Sequence, residues 1–294
     1  MKMPVGETLE GAFRFAFGSF LSVLGTVWLP YVAAGAIIGG AVYLLHPDLH
    51  MTIVPNNDPK AALAALQHIS GVVWIAWLVV LVTTAMVRVG LMRKALGLHE
   101  GPVFFYFSLG APVWRLLGAY LLLIIIMALI VPAAIAGCAA AIAASGASLQ
   151  QPVRGIVDVV VFVIAVIAPI YAALRFSYFL SAVVVAEGRI GLGRSWSLGG
   201  GNVLRMIVIW LAIVIAVSIV FGVLSSFFMP HLQITKMPAT SAELVQLEIN
   251  TMLAAGPIVL VLWVLQALFI EALGTGAVAA GYRAVTGTAE GTSS

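Results

Sequence analysis

Long apolar runs without a formal charge constrain the fold of this chain more than any other feature. Four runs are uninterrupted, and each exceeds the roughly 20 residues that a helix needs to cross the hydrocarbon core of a bilayer: 15–47, 61–87, 116–153 and 206–235. Two further runs contain one charge each, Arg175 within 159–186 and Glu271 within 249–282. The pattern predicts six transmembrane helices, near residues 20–45, 62–92, 116–144, 157–186, 203–228 and 254–282.

The overall composition excludes a water-soluble protein. Of the 294 residues 63% are hydrophobic and 9% are charged, which leaves too little polar surface to cover a soluble globule of this size. The charged residues are also too few to form a nucleic-acid-binding stripe, so no nucleic-acid partner is expected. We therefore predict an all-α fold, a polytopic membrane helical bundle in which 1–294 form a single integral membrane domain. Its expected partners are membrane lipids, together with a protein partner or further copies of the chain.

The distribution of basic residues predicts the orientation in the membrane. One side holds only Lys60, Arg154 and Lys236, whereas the side with both termini receives the other eleven of the 14 basic residues. Short loops rich in Lys and Arg stay in the cytoplasm, so both termini are expected there. The pattern predicts a multi-pass protein of a plasma membrane.

An internal repeat is indicated by two matching intervals. Arg88 precedes Glu100 by the same distance as Arg175 precedes Glu187, and a glycine follows each glutamate. The segment 107–115 then resembles 196–205, and each leads into a new apolar run. A looser third copy opens the chain, which suggests units 5–92, 100–186 and 187–283, each a short interfacial amphipathic segment followed by a helical hairpin. The alternative is chance recurrence of short motifs in an apolar sequence.

Part of the chain resembles a known family. The stretch Arg175-Phe-Ser-Tyr, then Val183-Val-Val-Ala-Glu187 and Arg194-Ser-Trp-Ser-Leu-Gly-Gly-Gly-Asn202, resembles the signature of bacterial multi-span proteins related to the membrane domain of glycerophosphodiester phosphodiesterases. The resemblance is best over roughly residues 170–210 and weak elsewhere, and the family usually has a Thr and a single Gly where this chain has three glycines. It implies a helical protein of the bacterial inner membrane. The phosphodiesterase's catalytic domain is a separate soluble barrel that this chain lacks, so that activity is not expected.

The two charges inside apolar runs are the strongest candidates for a functional site. Eleven uncharged residues separate Arg175 from Glu187, and eleven separate Glu271 from Arg283, which at 1.5 Å per residue gives matching depths. A lone charge at the bilayer centre costs about 2.5–3.5 kcal/mol on insertion scales. We therefore predict that Arg175 and Glu271 pair, with Arg88 as the competing partner of Glu271. The pair is either a permanent lock for the bundle or part of a polar cavity that binds a headgroup or moves a proton; a third alternative is snorkelling without a partner.

A second candidate site is the loop between the fourth and fifth predicted helices. Its glycines are expected to leave backbone N–H groups free, Asn202 is expected to cap the next helix, and two arginines lie nearby. This combination predicts binding of an anionic lipid headgroup. The alternative is a flexible turn with arginines placed by the orientation rule. The residues concerned are Arg194, Gly199, Gly200, Gly201, Asn202 and Arg205.

The remaining signals are weak. His46 and His50 have a spacing that could hold a metal, but Pro47 disrupts the helix that would align them, so no metal site is expected. No catalytic residues or cofactor can be assigned. Thr240 and Glu243 form a capping-box pattern that predicts a short amphipathic helix through Leu253. The sequence thus favours a non-enzymatic lipid- or partner-binding module in envelope organisation; the alternative is a small-solute or lipid transporter with a midplane Arg/Glu site.

Overall fold

The fold is helical throughout the part of the chain that the structure describes. The computed structural model describes residues 2–45, 59–99, 104–148, 153–228 and 241–287, and no strand occurs among them. The segment with His46 and His50 lies outside these residues, as does Glu100. The helices in chain order are α1 (Val5–Gly18), α2 (Phe20–Leu45), α3 (Pro59–Ala95), α4 (Ala111–Ser148), α5 (Val153–Ser177), α6 (Leu180–Glu187), α7 (Leu192–Gly199), α8 (Val203–Phe228) and α9 (Ser241–Thr286).

Six helical segments are long and apolar enough to cross a membrane, which confirms the predicted multi-pass architecture. They are Phe20–Leu45, Gly71–Ala95, Ala111–Ala144, Gly155–Glu187, Val203–Phe227 and Val264–Thr286. The predicted bounds of α2 and α8 agree with those observed. The predicted short helix from 240 through 253 is wrong as a separate element, because residues from Ser241 onward belong to the continuous helix α9.

Three helical hairpins form the bundle: α2 with α3, α4 with α5, and α8 with α9. Most apolar side chains of α4 and α5 are exposed, as expected for helices in contact with lipid. The predicted repeat is compatible with three hairpins, but the relationship between the units stays a prediction.

The short helix α6 lies in the best-packed part of the molecule. Its residues 180–184 are all buried, and Phe179 immediately before it is fully buried. A helix that is apolar on all sides is stable only when neighbours surround it. Gly188 ends α6 in a left-handed conformation with φ 66°, which glycine adopts without steric cost.

Helix α1 packs along α9 through small residues. A Cβ atom on Gly276 would lie 2.9 Å from the Ala12 Cα atom, and one on Gly11 would lie 2.9 Å from the Ala280 Cβ atom. The buried residues of α1 on this side are Thr8, Ala12 and Ala16. Small residues allow the two backbones to approach closely, as is typical of helix pairs in membranes.

The segment before α1 is held by the loop that precedes α8. The backbone N–H of Met3 donates to Asn202 Oδ1 at 2.9 Å, and Arg205 Nη1 donates to the Met3 carbonyl at 3.0 Å. Met3 is fully buried, and its sulfur lies 2.6 Å from the position of a Cβ on Gly281. The N-terminal segment and the C-terminal end of α9 therefore lie at the same end of the bundle.

We expect Asn202→Ala to release this segment. The substitution leaves the buried Met3 N–H without its acceptor, at a cost of about 1–3 kcal/mol. Limited proteolysis of the purified protein should cut the N-terminal segment faster than in the parent protein. Ser197→Ala, in an exposed position of the preceding helix, is the matched control and should leave the cleavage rate unchanged. Equal cleavage of both variants would contradict this role of Asn202.

Candidate functional site: an ion pair beside an intramembrane cavity

A salt bridge joins α3 and α9 within their membrane-spanning segments. Arg88 Nε donates to Glu271 Oε1 at 2.8 Å, and Arg88 Nη2 lies 3.5 Å from Glu271 Oε2. Arg88 Nη1 also donates to the Tyr120 hydroxyl of α4 at 3.3 Å. The guanidinium is thus held by two neighbouring helices. Each charge neutralises the other in a region where an isolated charge is costly.

The predicted contact between Arg175 and Glu271 is wrong, and the competing partner Arg88 takes its place. Arg175 donates instead to the Trp196 carbonyl, from Nε at 3.2 Å and from Nη2 at 2.8 Å, and its guanidinium carbon lies 4.0 Å from the centre of the Trp196 ring. Its Nη1 donates to the Tyr171 hydroxyl at 3.1 Å. Cation–π and carbonyl contacts therefore satisfy Arg175 within its own part of the bundle.

The predicted helix from Arg175 to Glu187 is interrupted by a short break between α5 and α6. The prediction assumed one straight helix from Arg175 to Glu187, whereas α5 ends at Ser177 and α6 begins at Leu180. The C-terminal ends of α6 and α9 do lie close to each other, as predicted from the spacing. The Tyr282 hydroxyl of α9 donates to Glu187 Oε1 of α6 at 3.1 Å. Beyond the break, however, α7 packs against α5 and offers Arg175 its nearest partners. Arg175 and Glu271 are equally far along the chain from Glu187 and Arg283, but the two side chains do not meet inside the bundle.

A cavity of about 240 Å³ lies against the ion pair, between α5–α6 and α8–α9. Helix α9 lines it with a stripe that runs over two turns from Ile270 to Val278, and α8 contributes Ile209, Trp210 and Ile213. The third wall is formed by residues on both sides of the α5–α6 break that are three or four positions apart, as on one face of a helix. They are the apolar Leu174 and the hydroxyl-bearing Ser177, Tyr178 and Ser181. The cavity therefore has both an apolar and a polar part.

The ion pair is not packed against protein on all sides, although it lies within apolar helices. The exposed fraction is 41% for the Arg88 side chain and 28% for that of Glu271. Trp210 lines the cavity and is 55% exposed, so this residue is not enclosed by protein either. A pair that only locked the bundle would be expected to be packed on all sides. These exposures favour the alternative in which the pair lines a polar cavity.

Tyr178 carries an unusual polar group in this wall. Its hydroxyl is shielded from solvent and has no hydrogen-bond partner among the residues that the structure describes. An unpaired buried hydroxyl costs about 1–3 kcal/mol. Tyr178, Ser177 and Ser181 were not among the candidate site residues predicted from the sequence. Their spacing, with polar groups on one face of an apolar run, was the available signal.

The glycine loop does not present the geometry that was predicted for a phosphate. The Gly200 N–H donates to the Ser197 carbonyl at 3.1 Å, so the expectation that it is free is wrong. A Cβ on Gly199 or Gly200 would lie 3.4 Å or less from atoms of Arg175 or the α7 backbone, which shows how tightly this turn packs. Gly201 has a φ of 74° and shapes the turn into α8.

The polar residues around the same loop bind other parts of the protein. Arg194 Nε donates to Glu187 Oε1 at 3.1 Å, and Glu187 also accepts from Arg189. Asn202 and Arg205 hold Met3. The cap that the Asn202 side chain was expected to form on α8 stays a prediction. Headgroup binding at this loop stays a prediction that the observed contacts do not favour.

Comparison of the chain with protein-family models, with curated proteins and with solved structures finds no match. Among the described residues, no group of three or more potential metal ligands is found. The function has to be argued from the site itself.

Proposed function

We propose that this protein binds the polar end of a membrane amphiphile in the cavity beside Arg88 and Glu271, without catalysing a reaction on it. The observation that carries the proposal is the accessible ion pair at the polar end of a partly apolar cavity. The proposed location is the bacterial inner membrane with both termini in the cytoplasm, supported by the basic residues of one face and by the family resemblance of 170–210.

The size of the cavity supports partial enclosure of the ligand. Pockets that enclose most of a drug-sized molecule measure about 300–1,000 Å³, whereas this cavity measures about 240 Å³. It is large enough for a headgroup but too small for a whole lipid. The apolar chains would remain among the exposed apolar side chains of the bundle, beyond the half-exposed Trp210.

The chain offers a matched pair of variants for a test. A Cβ on Gly274 would meet nothing within 4 Å, and Gly274 lines the cavity. Gly274→Leu should therefore fill the cavity without disturbing the backbone. Gly222 on α8 also has open space around it, is exposed and does not line the cavity, so Gly222→Leu is the control.

We expect native mass spectrometry of the gently purified protein to detect a retained lipid in the parent protein and in Gly222→Leu. Gly274→Leu should retain at least tenfold less, which corresponds to about 1.4 kcal/mol of binding free energy. Thermal unfolding in detergent verifies that both variants are folded. Equal lipid retention in the two variants would refute binding in this cavity.

A further inference from the structure

The two charges of the site limit the net charge of its ligand. Arg88 and Glu271 already neutralise each other through a contact of 2.8 Å. An anionic headgroup would have to pair with Arg88 and would leave the Glu271 carboxylate unpaired. A cationic headgroup would have to pair with Glu271 and would leave the Arg88 guanidinium unpaired. An uncharged ligand can instead donate to Glu271 and accept from Arg88 while the pair stays intact.

The rest of the polar lining consists of hydroxyl groups. Ser177, Tyr178, Ser181 and Thr275 each carry a group that both donates and accepts a hydrogen bond. A hydroxyl-rich group complements such a lining, because each of its oxygens can both donate and accept.

The volume agrees with a headgroup of this kind. The cavity, at about 240 Å³, is smaller than the pockets of about 300–1,000 Å³ that enclose drug-sized molecules, so it can take a small group such as glycerol or one sugar. Trp210, which lines the cavity, offers a flat apolar surface for the carbon-bound hydrogens of such a group.

From these observations we infer that the ligand is a lipid with an uncharged, hydroxyl-rich headgroup. The inference rests on the proposed function, because it names the chemical class bound in the same cavity. The same chemistry is present in a free sugar, so the source has to be distinguished by experiment.

The test is a competition between lipids for the purified parent protein in nanodiscs, read by native mass spectrometry. The probes are a diacylglycerol carrying one glucose, zwitterionic phosphatidylethanolamine, anionic phosphatidylglycerol, and free glucose. We expect the glucosyl lipid to be retained about tenfold over either phospholipid, and free glucose not to be retained.

Selective retention of a phospholipid, lost in Gly274→Leu, would overturn the inference and leave the proposed function standing. If free glucose is retained as strongly as the glucosyl lipid, the ligand is a hydroxyl-rich molecule but not a membrane amphiphile. If no probe is retained, the proposed function itself is refuted.

Discussion

Replacing Glu271 with glutamine is expected to lower the free energy of unfolding by about 2 kcal/mol. The substitution keeps the shape of the side chain and leaves Arg88 without its counter-charge. A lone cation at the centre of a membrane helix costs about 2.5–3.5 kcal/mol. We expect a somewhat smaller loss, because Arg88 keeps its hydrogen bond to the Tyr120 hydroxyl and 41% of its side chain is not packed against protein. Equilibrium unfolding in mixed micelles with increasing SDS measures the change.

The double variant Arg88→Met with Glu271→Met separates stability from binding. Replacing both ions with apolar side chains of similar length is often neutral or stabilising, because no charge is left unpaired. We therefore expect the double variant to unfold near the parent protein while losing the retained lipid. A double variant that keeps its lipid would reduce the pair to a structural lock. A Glu271→Gln variant as stable as the parent would show that Arg88 needs no counter-charge.

The substitution Gly276→Ala is expected to have the second large effect. The new Cβ would lie 2.9 Å from the Ala12 Cα atom and 3.1 Å from the Ala12 carbonyl oxygen, both backbone atoms that cannot rotate away. Overpacking of this kind typically costs about 1–3 kcal/mol. Thermal unfolding in detergent should show a lower midpoint, because α1 has to move away from α9.

Gly274→Ala, two residues earlier on the same helix, is the control for stability. Its Cβ would meet nothing within 4 Å, and alanine is favoured over glycine in a helix by about 1 kcal/mol. We expect this variant to unfold at the same or a higher temperature. Similar midpoints for the two alanine variants would contradict the close approach of α1 and α9.

The number and placement of the membrane helices could be predicted from the sequence, because a bilayer imposes a length of apolar residues that is visible without an alignment. Residues 20–45 and 203–228 were assigned with the observed bounds. The break before α6 could not be predicted, since neither Gly nor Pro occurs at positions 177–180. Packing of the fully buried Phe179 accompanies that break, and tertiary packing has no local signature in the chain.

The site was predicted in part for the same reason. Glu271 and Arg88 stand out as charges in apolar surroundings, so the sequence identified them as candidates. Choosing between Arg88 and Arg175 required the rotation of each helix about its axis, which spacing along the chain does not supply. Tyr178 was missed because a hydroxyl on an aromatic ring is common in membrane helices and becomes unusual only once its lack of a partner is seen.

The pairing of α1 with α9 has a consequence for biogenesis. The small-residue surface that includes Ala12 and Ala16 has its partner on the last helix of the described chain, around Gly276. During synthesis α1 leaves the ribosome long before that partner exists, since contacts between distant parts of a chain form only after both are made. Helix α1 therefore has no packing partner until α9 has been inserted. We expect the pairing of α1 with α9 to form only after insertion.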